Sequence, residues 1–357
     1  MDKKVVHIIG GRPQFVKCLI NIRAINRFKI SNVIINTGQH FDHNMSNIFL
    51  KLYPKKYQLF NLTLSNKEHT DRLAEMIFSV NKRIKKIPSS LIIIYGDTDS
   101  ALAGLLVGMK NKIKIMHIES GLRSNNLKMP EEQNRIMIDH IAEFLITPTK
   151  LASKNLLKED IPKKKIYEFG DVMYDNLIYI KSFIKVSQIN FFLKKNFLKK
   201  SEYIYFSLHR ESNSNFNFID NIIKQLSKLK FKVLWPMHPK FKTIIKSLSI
   251  PDNFKIVEPL NFDNNLIAME NSNFIVTDSG GIQKEAFFLK KKVFVLRKET
   301  EWKELLTSKC ITLINNKIPN EKEIKKFLND KIKSNSDYGN GDSTLKIAKL
   351  VNKIVKQ

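Results

Sequence analysis

Along this chain, short and wholly apolar runs alternate with longer stretches in which apolar residues recur every third and fourth position. The first half carries VVHIIG, NVIINTG, LIIIYGD, IKIMHIE and EFLITPT, and the second carries YIYFSLH, FKVLWPMH, FKIVEP, NFIVTDS, KVFVLR and CITLI. A strand with one buried face would alternate apolar and polar residues. These runs do not, so they predict strands covered on both faces. The stretches between them, such as QFVKCLINIRAINRF and FNFIDNIIKQLSKL, have the spacing of amphipathic helices. Strand and helix in alternation mean βαβ units, and two successive sets predict an α/β protein of two doubly wound domains with parallel sheets.

No Pro/Gly-rich linker separates the two sets. The break is placed at GDVMYDN, where the first set closes, giving an N-terminal domain over residues 1–170 and a C-terminal domain over residues 171–342. After the polar loop KSNSDYGNGDS comes a terminal helix, residues 343–357. In open parallel sheets ligands bind beyond the carboxyl ends of the strands, so the residues that follow each apolar run are the ones to inspect.

The formal charge of +27 raises the question of nucleic acid. The lysines, however, are spread over nearly every predicted helix, as in KKNFLKK, IKKFLNDKIK and PKKKI, with no RNP-type, zinc-finger or helix-turn-helix pattern beside them. No nucleic-acid partner is expected, whereas an acidic small substrate is compatible. Arginine says more, since there are nine arginines against fifty-two lysines, and a planar fork suits carboxylate or phosphate. No apolar run reaches the eighteen or so residues of a membrane span, and MDKKVVHIIG enters a strand without a signal-peptide layout, so a soluble cytoplasmic protein with no membrane partner is expected. Cys18 and Cys310 stand alone and indicate neither a disulfide framework nor a thiolate metal site.

Two strand-to-helix turns look like anion cradles. GGRPQFVK follows the first strand, with Gly10 and Gly11 permitting close backbone approach and Arg12 and Lys17 placed to meet an anion at a helix N-terminus. It is neither GxGxxG nor a Walker loop, and a plain turn with a surface arginine explains it as well. TDSGGIQKEAF is stronger: Asp278, Ser279, Gly280 and Gly281 lead from a strand into a helix, and Glu285 one turn on would accept from ribose hydroxyls. Its plain alternative is an Asp/Ser cap with two turn glycines. SLHRESN and WPMHPK bring His209, Arg210 and His238 to strand ends in the same domain. HFDH, residues 40–43, lacks a third convincing ligand, so no metal is expected.

Three carboxylates in the first half follow apolar runs or open a helix: Asp97 in YGDTDS, Glu119 in HIESGLRS and Glu131 in MPEEQNR. Carboxylates held together out of water have pKa values pushed apart and upward, as an acid/base pair needs. Arg123 and Arg135 stand among them as oriented partners. Against this, Glu131, Arg135 and Asp139 are spaced as an ordinary helical ion-pair ladder, and Asp97 as a helix cap.

GGRPQFVK, TGQH, GDTDSALAG, HIESGLRS, MPEEQNR, LHRES, HPK and TDSGGIQKEA, in this order and spacing, closely resemble the non-hydrolysing UDP-N-acetylglucosamine 2-epimerase family, from the first strand to about residue 305. The resemblance implies a GT-B-like fold of two Rossmann-like domains, the active site in the cleft between them, and a terminal helix packed on the first. It implies interconversion of UDP-sugars at C2 with no cofactor, by anti elimination of UDP to a glycal and re-addition. On the same ground, Asp97, Glu119 and Glu131 are the acid/base set and His209 supports the departing diphosphate. Arg12, Lys17, His238, Ser279, Gly280 and Glu285 would hold UDP, and Arg123, Arg135, Arg210 and Gly281 are added as substrate or UDP contacts. A homodimer feeding surface polysaccharide synthesis is also implied. Hydrolytic release of UDP, glycosyl transfer, and a non-catalytic nucleotide-sugar-binding module are the alternatives.

Three departures from the family pattern stand out. GTRPE is GGRPQ here, which puts the amide of Gln14 where a carboxylate is usual. TERPE, whose arginine contacts the nucleotide in many members, is TEWKE, with Trp302 in that arginine's place. The usual GN-type hinge is GDVMYDN. This combination is more similar to the branch acting on UDP-2,3-diacetamido-2,3-dideoxy-glucuronate. The stretch after TGQH departs from the pattern linked to allosteric activation by UDP-GlcNAc, so that regulation is not expected.

Overall fold

Val5, Val6 and Ile8 of the first strand are all wholly buried, which only a strand flanked by neighbours and covered on both faces achieves. In the computed structural model, which describes residues 4–38, 56–66, 68–210, 213–333 and 336–357, this strand lies inside a seven-stranded parallel sheet. Its strands are β1 (Lys4–Ile9), β2 (Asn32–Asn36), β3 (Gln58–Asn61), β4 (Ser89–Tyr95), β5 (Lys114–Ile118), β6 (Phe144–Thr147) and β7 (Ile166–Glu168), in the order β3-β2-β1-β4-β5-β6-β7. A second sheet of six strands follows: β8 (Tyr203–Ser207), β9 (Lys232–Pro236), β10 (Phe254–Val257), β11 (Phe274–Thr277), β12 (Val293–Val295) and β13 (Ile311–Leu313), ordered β10-β9-β8-β11-β12-β13. All pairings are parallel; in the first sheet Ile8 lies opposite Ile35 on one side and Ile94 on the other.

Every apolar run named from the sequence is one of these strands. The two that went unnamed, β3 and β7, are the edges of the first sheet. Each has one neighbour and mostly part-exposed residues, so neither carries the continuous apolar signal of an inner strand.

The chain divides into two compact units, Met1–Asn176 with Ser336–Gln357, and Leu177–Asn335. Each has its own core: Ile8, Ile35, Ile94, Leu105 and Ile138 in the first, Phe206, Ile222, Trp235, Phe274 and Phe294 in the second. The GDVMYDN segment belongs to the first unit because the returning chain is tied to it. Asp171 N donates to Tyr338 O at 2.9 Å, and Gly170, at φ +95°, packs so close to Tyr338 that a Cβ would meet its carbonyl oxygen at 2.7 Å. The Asp175 carboxylate accepts from Ser343 N at 3.2 Å and from Thr344 N and Oγ1 at 2.7 Å each, capping the terminal helix Ser343–Lys356. That helix packs along Arg12–Ile25.

Winding reverses at one place in each sheet. In the first, the chain moves outward from β1 through β2 to β3 and resumes on the other side of β1 with β4; in the second, β8 leads to β9 and β10, and β11 resumes beside β8. At such switch points neighbouring loops part and leave a crevice beyond the carboxyl ends.

Asp175→Ala removes three accepted hydrogen bonds and leaves a buried helix start uncapped. We predict a loss of about 2 kcal/mol in urea denaturation, with Asp175→Asn losing less; wild-type stability in the alanine variant would contradict the capping role.

Candidate active site

The first switch point gathers the chemistry of the first unit. β1 ends at Ile9 and the helix Arg12–Ile25 begins at once, with Pro13 in its first turn. Gly10 is required here: a Cβ would overlap Ser100 Oγ, which is hydrogen-bonded to Thr37 Oγ1 at 2.7 Å. Gln14, 3 % exposed, ties this turn to the one after β4. Its Oε1 accepts from Gly10 N (2.7 Å) and Gly11 N (3.1 Å), while Nε2 donates to Tyr95 O (2.5 Å) and Thr98 Oγ1 (2.7 Å). An ionised carboxylate has no proton to give these last two acceptors, so the amide at this position is explained by its protein partners. The side chain of Arg12 lies outside the described residues, as do Gln39 and His40 of TGQH and the HFDH stretch.

Asp97 and Glu119 follow β4 and β5, side by side in the sheet. Asp97 forms an ion pair with Arg135 at 2.5 Å, and Arg135 pairs with Glu132 at 2.5 Å. Asn134 Nδ2 fixes the backbone by donating to Asp97 O at 2.9 Å. Burial pushes the Asp97 carboxyl above its ordinary value; Arg135 opposes the shift, Glu119 adds to it, and the net direction is upward. Glu119 is paired with Lys17, which reaches it from the helix after β1. Its backbone sits at φ +72°, in the left-handed region unusual for a side chain larger than glycine. Such a conformation costs on the order of 1–3 kcal/mol and gathers at functional positions. Glu119 N and Ser120 N both donate to Ile146 O at 3.1 Å, holding the turn.

Behind these two lies a fully buried network. Asp139 Oδ1 meets His117 Nδ1 at 2.7 Å, while Oδ2 accepts from Arg123 Nη1 at 2.8 Å and Gly121 N at 3.0 Å. His117 Nε2 reaches Gly96 O at 2.8 Å, in the turn that carries Asp97. Burial alone would raise the Asp139 carboxyl, but His117 and Arg123 outweigh it and hold it below the usual range. Arg123 also forms two hydrogen bonds to Glu159, at 2.6 and 2.7 Å, and one to Leu122 O at 2.7 Å. The guanidinium expected at the substrate is thus committed to protein partners.

Glu131 is exposed in the first turn of the helix Pro130–Ile141. Its neighbour Glu132, unremarked in the sequence, is 1 % exposed in its side chain and accepts from Ser124 N (3.0 Å) and Asn125 N (2.8 Å) besides Arg135. The helical ladder suggested by spacing does not form: Arg135 pairs with Asp97 and Glu132, and Asp139 with His117 and Arg123.

The second unit has its own cluster at its switch point. Asp278, wholly buried after β11, accepts from His209 N (2.8 Å), Arg210 N (3.0 Å) and Asn213 Nδ2 (2.9 Å), so it orders the loop after β8. Ser279 is the N-cap of the helix Gly280–Phe288, with no side-chain cap hydrogen bond. Gly281 is exposed, and Gly280 and Glu285 are half-buried, in the first turns of that helix. His209 and His238 are exposed with ring centroids 6.2 Å apart, and Lys240 Nζ donates to His209 O at 2.7 Å. Trp302 is buried under Lys284, whose Nζ lies 4.1 Å from the ring centroid.

Residues 23–352 match the UDP-N-acetylglucosamine 2-epimerase family. The chain is 35 % identical to a UDP-N-acetylglucosamine 2-epimerase homolog of Methanococcus maripaludis, over 98 % of this chain and 99 % of that protein. The chain belongs to this epimerase family. It is also 34 % identical to the UDP-2,3-diacetamido-2,3-dideoxy-D-glucuronate 2-epimerase of Pseudomonas aeruginosa, over 87 % of this chain and 88 % of that one. The crystal structure of the Methanocaldococcus jannaschii UDP-GlcNAc 2-epimerase, in complex with UDP-GlcNAc and UDP, superposes with a TM-score of 0.86 at 31 % identity, covering 98 % of this chain and 99 % of that one. The fold of this epimerase-family chain is accordingly GT-B-like, two parallel sheets with interleaved helices. Among the described residues no helix is long and apolar enough to cross a membrane, and no group of three or more His, Cys, Asp or Glu is placed to hold a metal.

Asp139→Asn leaves Arg123 and His117 buried beside a neutral partner, and we predict a loss of about 3 kcal/mol near neutral pH. Because the folded carboxyl lies below its unfolded value, its contribution is present above the unfolded pKa and fades as pH falls through the folded one. Urea denaturation from about pH 5 down to about pH 2 therefore shows a shallower acid decline in the variant; equal slopes would remove Asp139 as the cause.

Proposed function

We propose that this chain is a non-hydrolysing UDP-sugar 2-epimerase acting on a UDP-2-acetamido sugar, with acid–base chemistry supplied by the first unit and nucleotide binding by the second. The observation that carries the reading is the adjacency of Asp97 and Glu119 at the first switch point, one with its pKa raised by burial and the other paired with Lys17. Two carboxylates in unlike surroundings suit a reaction that takes a proton from carbon and returns one to its other face.

In this reading C2–H is deprotonated while the C1–O bond to UDP breaks, so a C1–C2 double bond forms and UDP departs as the anion. The departing diphosphate oxygen then re-forms its bond to C1 as a proton is delivered to the opposite face of C2, and atoms and charge balance without a cofactor. Asp97, Glu119 and Glu131 are the proposed acid/base set, and burial raises the Asp97 carboxyl above its ordinary value. Lys17 orients Glu119 in this structure; Arg135 does the same for Asp97. His209, Arg210, His238, Ser279, Gly280, Gly281 and Glu285 are the proposed nucleotide contacts, supported by their gathering at the second switch point. Arg12 joins them on the family pattern alone. That pattern also supports a cytoplasmic homodimer that supplies an epimerised UDP-sugar for surface polysaccharide. The relatives named for UDP-N-acetylglucosamine and for the diacetamido glucuronate support two substrate pairs within one chemistry.

Incubation in D2O with each UDP-sugar, followed by NMR at C2, decides between the pairs: deuterium enters C2 of the true substrate while UDP stays on the sugar, and absence of exchange in both would sink the reading. Glu119→Gln and Glu131→Gln are each expected to lower turnover at least about a hundredfold with UDP binding retained. Normal turnover in both would remove them from the acid/base set.

A further inference from the structure

The second unit contains a buried cation with most of its hydrogen-bonding capacity unspent. Arg297, at the end of β12, has a side chain 6 % exposed. Its Nη2 donates to Glu301 Oε2 at 2.8 Å, while Nε and Nη1 have no hydrogen-bond partner among the described residues. Buried guanidinium donors left unpaired are costly, and native proteins keep them where something else completes the shell. A second guanidinium, Arg210, is close enough that Arg297 is the largest influence after burial in lowering its pKa. The carboxylates nearby do not resolve this: Asp278 is taken up by two backbone amides and Asn213, and Glu301 engages one nitrogen of Arg297.

The unspent group has a direction. A Cβ on Gly280 would overlap the Glu301 carboxylate and come within 3.5 Å of Arg297 Nη1, so that nitrogen faces the first turn of the helix Gly280–Phe288. The amides of that turn have no partner within the helix, no side chain caps them, and the dipole adds partial positive charge. A buried guanidinium and a helix N-terminus therefore converge on one place, from two independent parts of the chain.

We propose that Arg297 is a phosphate-binding residue, acting with Arg210 and the amides that open the helix Gly280–Phe288 to hold the diphosphate of the bound nucleotide. The proposal rests on the UDP-sugar reading for the identity of the ligand, while the site itself asks only for a diphosphate. It also accounts for TEWKE: with Trp302 buried under Lys284 in place of the family's nucleotide arginine, Arg297 at the preceding strand end supplies the guanidinium.

Isothermal titration of the full-length protein with UDP and, separately, with inorganic pyrophosphate tests it, using wild type, Arg297→Met and Arg297→Lys, each checked for folding by circular dichroism. Both ligands are expected to bind the methionine variant at least tenfold more weakly, with lysine recovering only part, because it keeps the charge but not the fork. Binding within twofold of wild type in folded Arg297→Met overturns the proposal. If that variant does not fold, Arg297→Lys decides, and unchanged pyrophosphate affinity overturns it. Wild type binding pyrophosphate through Arg297 but not UDP upholds the anion site and fails the UDP-sugar reading; wild type binding neither fails this proposal; UDP binding that is indifferent to residue 297 fails this proposal alone.

Discussion

Everything chemical in this chain depends on one constraint of parallel sheets, that strands buried on both faces offer open backbone only where the winding direction reverses. Elsewhere a strand runs into a loop covered by the next helix. At β1/β4 and at β8/β11 the winding reverses, and near these points the chain carries Gly10, Gly11, Asp97 and Glu119 in one unit and Asp278, Gly280, Gly281 and His209 in the other. Gln14 shows how tightly the first reversal is laced, since one amide spans the turn after β1 and the turn after β4 with four hydrogen bonds. Asp278 does the corresponding work in the second unit, drawing the loop after β8 onto the end of β11.

Given that frame, charge balance decides what each carboxylate is for. Asp97 and Asp139 are the same residue type in neighbouring parts of one unit, and burial disfavours the ionised form of both. Asp139 has His117, Arg123 and a backbone amide, and ends below its ordinary value; Asp97 has Arg135 and Lys17 set against burial and a second carboxylate, and ends above it. The first anchors the buried network, and the second stands at a strand end with its carboxyl raised above its ordinary value. The left-handed backbone of Glu119 fits the same division, because a strained turn persists only where the fold holds it, here by two amides converging on Ile146 O.

Much of this was legible in the sequence because strands buried on both faces leave unbroken apolar runs, and the residue after such a run has few places to go. Asp97, Glu119 and Asp278 were found that way. The edge strands β3 and β7 were not, because their part-exposed residues lack the apolar run that the other sheet's edges, β10 and β13, still carry. Helical spacing misled at Glu131, Arg135 and Asp139: three or four residues apart is nearness along one helix, whereas the buried partners of Arg135 and Asp139 come partly from loops far away in the chain.

The amino-acid sequence by itself determined the two parallel sheets, the strand ends at which chemistry gathers, and, through its ordered motifs, the family. Apolar periodicity and turn residues are local properties, and they survive being read one position at a time. Only the tertiary structure decided which cation meets which anion. It committed Arg123 to Asp139 and Glu159, set Gln14 between two turns, and left two nitrogens of Arg297 buried with no hydrogen-bond partner among the described residues. The pairings of Arg123 with Asp139 and Glu159, and of Gln14 with Tyr95 and Thr98, join residues 16 to 84 positions apart, and the burial of Arg297 makes an unmatched charge costly. Neither those contacts nor that burial exists until the chain has folded.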